Sequence, residues 1–196
     1  MKITKEKLEH YYFAKKMSVK EMTNVFIRSE TCISYWMKKY GIKKRTISES
    51  VYLKNNPNGD PFKIRKDLNS ELTELKGIGI GLYWGEGNKR NKNSIKIGNT
   101  DPALIKKFIE FLVKILGVKR KNIRFSLQVF SDMNSEKAKR YWLEELKVDP
   151  AQFSKKITIT HSGKVGNYKR KTQYGVLTMY YHNTKLRNIL IAMLPL

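Results

Sequence analysis

Over the first part of the chain, apolar residues recur at intervals of three and four. Leu8, Tyr11 and Tyr12 share one face of a helix predicted over 4–16. Ser18-Val19-Lys20-Glu21 then has the Ser-x-x-Glu form, in which hydroxyl and carboxylate each satisfy a free backbone N–H at a helix start. The helix it opens carries Met22 and Phe26 four apart, a core-facing pair. Ser29 caps a third helix, where Ile33, Trp36, Met37 and Tyr40 repeat until Gly41 stops it. Residues 46–69 break the pattern. Asn55-Asn56-Pro57-Asn58-Gly59-Asp60-Pro61 is a run of turn formers and reads as part of a connector, with Phe62 and Ile64 placed to pack on either side.

From Ser70 onward, segments of period 3.6 alternate with segments of period 2. A helix is predicted over 72–85 and a strand over 94–99. Another helix starts at Pro102, with Ile105, Phe108, Ile109, Leu112 and Leu116 on one face. Over 122–130, Ile123, Phe125, Leu127 and Val129 point one way and Arg124, Ser126 and Gln128 the other. A helix follows over 135–146, with Trp142 and Leu146 inward. Strands near 156–161 and 173–181 are expected to form a hairpin around the basic loop 164–171, and a helix over 183–194 closes the chain. The fold class is therefore α+β. A small all-α domain (1–45) and a connector (46–69) precede a mixed domain (70–196).

Charge turns this organisation toward a partner. The formal net charge is +23, with 40 Lys and Arg against 17 Asp and Glu. Residues 1–70 carry 16 basic and 7 acidic groups, so the excess is not confined to one half. A basic surplus over folded segments, with 11 Tyr and 3 Trp among the charges, points to a polyanion, commonly nucleic acid. Basic chains also arise as ribosome-associated or merely soluble proteins. Cys32 is the only cysteine, which excludes an internal disulfide or a cysteine-based zinc site. His10, His161 and His182 match no metal-ligand spacing. With no signal peptide and no membrane-length apolar run, the expected location is a reducing cytoplasm, in association with the nucleoid.

Three helices with a turn of about three residues between the second and third give helix-turn-helix geometry. Glu21 to Trp36 resembles the helix-turn-helix of many bacterial and phage DNA-binding proteins, with Ile27 where glycine usually occupies the turn. The resemblance implies that Ser29, Glu30, Thr31 and Tyr35 read base edges. Lys38, Lys39, Lys43, Lys44 and Arg45 would hold phosphates. The plainer alternative is a protein-interaction bundle with a solvated basic face.

The segment Leu75-Lys76-Gly77-Ile78-Gly79-Ile80-Gly81-Leu82-Tyr83-Trp84-Gly85-Glu86-Gly87 is the most informative in the chain. Each glycine inside a helix costs about 1 kcal/mol relative to alanine, which calls for an offset. Gly77, Gly81 and Gly85 form a bare ridge against which a second helix can lie close. Glu86 follows at the helix end, where unpaired carbonyls and the dipole favour a cation. A carboxylate beside a free carbonyl is a half-site suited to Mg²⁺, which prefers oxygen ligands. A dinucleotide-binding loop fits poorly, since Trp84 stands where its third glycine belongs and no strand precedes it. A packing motif ending in a solvated Glu86 remains the plainer alternative.

Gly81-Leu82-Tyr83-Trp84-Gly85-Glu86-Gly87 resembles the motif of the LAGLIDADG homing-endonuclease family, over a domain running from about Ser70 to Leu196. The metal-binding acid falls on Glu86 and the earlier, non-ligating Asp on Trp84. A Gly-Leu-Tyr-x-x-Glu-Gly form is found in some archaeal intron-encoded members. The resemblance implies an αββαββα domain with a saddle-shaped antiparallel sheet, residues 135–153 being an additional helical excursion. One motif per chain implies a homodimer through Gly77, Gly81 and Gly85, which acts on double-stranded DNA. Glu86 and the Gly85 carbonyl would bind Mg²⁺ for phosphodiester hydrolysis. The sheet would contact DNA through Lys96, Arg124, Ser126, Gln128, Thr158 and Thr160, and the adjoining loop through Lys164, Lys169 and Arg170. The resemblance equally accommodates a non-catalytic transcription regulator joining this fold to a helix-turn-helix, and an RNA maturase.

Overall fold

Ser18 and Glu21 form the capping box that their spacing predicts, the Ser18 hydroxyl accepting from the Glu21 N–H and the Glu21 carboxylate from that of Ser18. It opens α2 (Val19–Phe26), after α1 (Lys5–Glu9) and a single π-helical turn (His10–Ala14). α3 (Glu30–Lys39) begins at Ser29, whose hydroxyl accepts from the Cys32 N–H, and Gly41 follows it with φ of 69°. Leu8, Tyr12, Met22, Phe26, Ile33, Met37 and Ile42 bury themselves together between these helices. The computed structural model describes residues 2–161 and 172–195, and the basic loop at 164–171, with Lys164, Lys169 and Arg170, lies outside them.

The chain divides into two units, Met1–Asp60 and Pro61–Leu196, so the boundary falls inside the predicted connector. That connector is not featureless. Thr46 and Glu49 form a second capping box, which opens α4 (Ile47–Asn55) in the first unit. Phe62 is buried in the core of the second.

The second unit runs α5 (Ser70–Glu86), β1 (Ile95–Asn99), α6 (Pro102–Lys114), β2 (Arg124–Phe130), α7 (Ser135–Leu146), β3 (Thr158–Thr160), β4 (Val176–Tyr181) and α8 (Thr184–Ala192). It is an α+β unit. The expected αββαββα order is not the order observed, because β1 is the one strand between α5 and α6. Between α5 and β1, a single bridge joins Gly87 to Ile97. The sheet order is β1-β4-β2-β3, and the sheet is mixed: β4 pairs antiparallel with β1 and β2, while β3 pairs parallel with β2. β3 and β4 therefore form no hairpin, since β2 lies between them. The 27 residues between β2 and β3, containing α7, supply the long crossover that a parallel neighbour needs.

Strict alternation places Ile95, Ile97, Phe125, Leu127, Val129, Leu177, Met179 and Tyr181 on one face of the sheet, all buried. Residues of α5, α6, α7 and α8 belong to the same core. The helices thus occupy one face, and the side chains between the buried positions project from the other.

Candidate nucleic-acid interface

Register fixes what the open face of the sheet displays. Lys96, Tyr180 and Arg124 stand side by side across β1, β4 and β2, and Gly98, Thr178 and Ser126 form the next row. Gln128 then lies opposite Thr158, and its amide donates to the Thr160 hydroxyl at 2.9 Å. The sheet therefore assembles Lys96, Arg124, Ser126, Gln128, Thr158 and Thr160 on one surface from three separate strands. Sequence reasoning passed over Thr178 and Tyr180, although alternation over β4 carries the signal. Tyr180 stands between two cations and meets the His182 ring edge-on, with centroids 4.9 Å apart. The Arg124 guanidinium donates to the carbonyls of Lys121 and Ile123, which holds it at the start of its strand.

α5 presents two unlike faces. Leu75, Gly79, Tyr83 and Gly87, each four residues from the next, are buried. A Cβ on Gly79 would lie 2.1 Å from Cγ of Phe111, so absence of a side chain there is what lets α6 approach. Gly77, Gly81 and Gly85 are exposed, and among the described residues nothing lies within 4 Å of a Cβ on any of them. Ile78 and Trp84, 38% and 51% exposed, extend this uncovered surface.

Glu86 is exposed as the last residue of α5, and none of the ion pairs among the described residues involves it. A lysine ammonium sits close by in the chain. Lys89 Nζ donates to the Trp84 carbonyl, one residue before that of Gly85, and the Arg187 guanidinium donates to the Lys89 carbonyl. The end of α5 is thereby tied to α8, with a cation where the helix dipole favours one. Beneath it, burial pushes the Tyr83 phenol up from its ordinary pKa, against the opposing charge of Arg187. Carboxylate and carbonyl oxygens are the donor type that Mg²⁺ takes. Among the described residues no group of three or more His, Cys, Asp and Glu side chains comes together. A metal at Glu86 would complete its shell from water, phosphate or a second copy of the chain.

In the first unit, Ser29, Glu30, Thr31, Tyr35, Lys38 and Lys39 are all exposed on or beside α3. Lys39 leans over the Trp36 ring, with Nζ 4.7 Å from its centroid. Ile27, in the turn before them, has φ of 54° and ψ of 52°, the left-handed conformation in which glycine is the usual occupant. The chain thus makes the expected turn with a β-branched residue. Two of the expected phosphate-holding cations also have partners within the unit. Arg45 donates to the carbonyls of Lys16 and Met17 and stacks on Tyr12, while Lys44 Nζ bonds to the Ser34 hydroxyl at 2.6 Å.

Among the described residues no helix is long and apolar enough to cross a membrane. Compared with family models, with curated proteins and with solved structures, the chain matches none.

Proposed function

We propose that this chain is a site-specific double-stranded DNA endonuclease that acts as a homodimer and hydrolyses phosphodiester bonds with Mg²⁺. The observation that carries the reading is the uncovered glycine row of α5 ending at an exposed Glu86. Three helix-destabilising residues, at which a Cβ would meet no described atom within 4 Å, would be offset by close packing against the same row of a second copy. That packing brings the two Glu86 carboxylates together across a two-fold axis. The basic and polar sheet face would lie along the duplex, with Lys96 and Arg124 toward phosphates and Ser126, Gln128 and Thr158 toward base edges. α3 would read the major groove of the same DNA through Ser29, Glu30, Thr31 and Tyr35, with Lys38 and Lys39 on phosphates. Bound Mg²⁺ would supply activation of water and stabilisation of the leaving oxygen. Glu86, with the Gly85 carbonyl, would hold it.

A second reading, a DNA-binding transcription regulator without catalysis, draws on the Lys89 ammonium at the Trp84 carbonyl. That ammonium already supplies positive charge at the helix end. One pair of assays separates the two. Wild-type protein is selected against a pool of duplexes, and the bound site is incubated with Mg²⁺ or Mn²⁺ beside the Glu86→Gln variant. An endonuclease cuts the site, and Glu86→Gln lowers the rate by about a thousandfold, roughly 4 kcal/mol, with little change in affinity. A regulator binds the same site and leaves it intact.

A further inference from the structure

The first unit contains a cleft of about 710 Å³ between the π-helical turn, the start of α2 and α4. Its walls carry Lys15, Lys16, Lys20, Lys44, Arg45 and Lys54 against a single carboxylate, Glu21. We propose that this cleft is a second phosphate site, one that takes the sugar–phosphate backbone of double-stranded DNA in the same unit as α3. The proposal rests on the nucleic-acid reading above and extends it to residues outside α3 and the sheet.

Glu21 is held ionised and offsets one of the six cations, so a basic surplus remains. Its carboxylate accepts from the Ser18 N–H at 2.7 Å, and that bond, with the Ser18 hydroxyl, holds its carboxyl below the usual glutamate range. The charges of Arg45 and Lys54 act in the same direction, which places both within its field. Lys15, Lys20 and Lys54 are exposed and make no hydrogen bond or ion pair among the described residues. Six cations around one space repel each other, and a polyanion relieves that repulsion with release of counterions.

The cleft has a fixed floor. Arg45 is pinned by two backbone carbonyls and by the Tyr12 ring, 4.1 Å from the guanidinium carbon, so its charge stays in place. Lys16 has φ of 56°, an uncommon conformation for a lysine, which lets its carbonyl meet Arg45 while its ammonium reaches the Pro57 carbonyl. The first turn of α2 opens onto the same space and adds the positive end of its dipole. α4 contributes no buried residue and leaves Ile47 and Val51 exposed, so this boundary was not filled as a core. Lys44 lines the cleft and also bonds Ser34 on α3, which makes the cleft continuous with the flank of that helix.

The test uses the full chain, a fluorescein-labelled duplex of mixed sequence and a series of salt concentrations. Lys20→Gln/Lys54→Gln is compared with Lys137→Gln/Lys147→Gln, an exposed pair at α7, on the helix-covered side of the sheet. Thermal midpoints equal to wild type establish that both fold. The expected result is a log K against log salt slope shallower by roughly 0.9 for each lost phosphate contact in the first pair, and unchanged in the second. An equal change in both pairs overturns the cleft in favour of general charge. A wild-type slope in Lys20→Gln/Lys54→Gln overturns it and leaves DNA binding standing, whereas absence of duplex binding by the wild type overturns both. Saturable ATP or pyrophosphate binding that the cleft pair abolishes, with the duplex slope intact, assigns the cleft to a free phosphate ligand instead.

Discussion

On α5, Gly79 and the row Gly77–Gly81–Gly85 differ by two residues, about 200° around the helix, and live in opposite surroundings. Gly79 faces Phe111 at a distance no Cβ tolerates, whereas the row faces open space. The same residue type in the same helix thus has two explanations. The first is internal: α6 needs the room. The second is external under the proposed function: no described residue lies within 4 Å of a Cβ on the row, and the partner helix proposed above is what would offset the helix-propensity cost of each glycine.

Alanine substitution breaks this comparison most directly. Gly79→Ala drives a methyl into the Phe111 ring and lowers stability by about 2 kcal/mol, as overpacking of a filled core does, although alanine is the better helix former. Gly77→Ala has the opposite sign and raises stability by about 0.5–1 kcal/mol. Urea unfolding, at concentrations too low for self-association, reads both values. Equal signs would mean that the two faces are not distinct.

Gly81→Leu sharpens the external explanation. Its Cβ meets no described atom within 4 Å and leucine is the better helix former, so the dilute protein unfolds at or slightly above the wild-type stability. Between two chains it separates the helices and weakens association by at least about tenfold, or 1.4 kcal/mol. Sedimentation with and without duplex DNA measures this, and a monomer under both conditions removes the dimer from the proposal.

The smallest effect concerns Tyr83, on the closed face. Its folded pKa is raised, chiefly by burial, so its contribution to stability is complete below the ordinary value of 10.0 and is lost as pH climbs above it toward the folded value. Thermal midpoints of wild type and Tyr83→Phe should therefore converge as pH rises past 10.0. A constant difference would show that the phenol ionises as easily in the fold as outside it.

How far the sequence foretold these features depends on whether the cause is local. The Ser18–Glu21 capping box, the α6 apolar face and the alternation in β2 depend on neighbours within a few residues, and all are found where the pattern places them. α4 stands inside the predicted connector, yet Thr46-Ile47-Ser48-Glu49 carries the same Ser/Thr-x-x-Glu signature as α2, ahead of a run of turn formers. The parallel pairing of β3 was not legible. Three residues with Ile159 61% exposed carry too little pattern to specify a partner strand. At the candidate interface, outward positions followed from alternation alone, but the Lys96–Tyr180–Arg124 row depends on cross-strand register, and so on long-range pairing. The inward turn of Arg45 likewise depends on carbonyls about thirty positions earlier, at Lys16 and Met17.

The sheet order β1-β4-β2-β3 also sets an order of events in time. β4 lies between β1 and β2 and pairs with both, yet among the described strands it is the last to be synthesised. Until it arrives, β1 has no neighbouring strand, and the apolar faces of β1 and β2 have no completed sheet to belong to. The helices of the first unit need only local contacts and close early, whereas the second unit waits for Ile95 to meet Tyr181. A ribosome that stalls between α7 and β4 would therefore display a folded amino-terminal unit trailing an unfinished, aggregation-prone sheet.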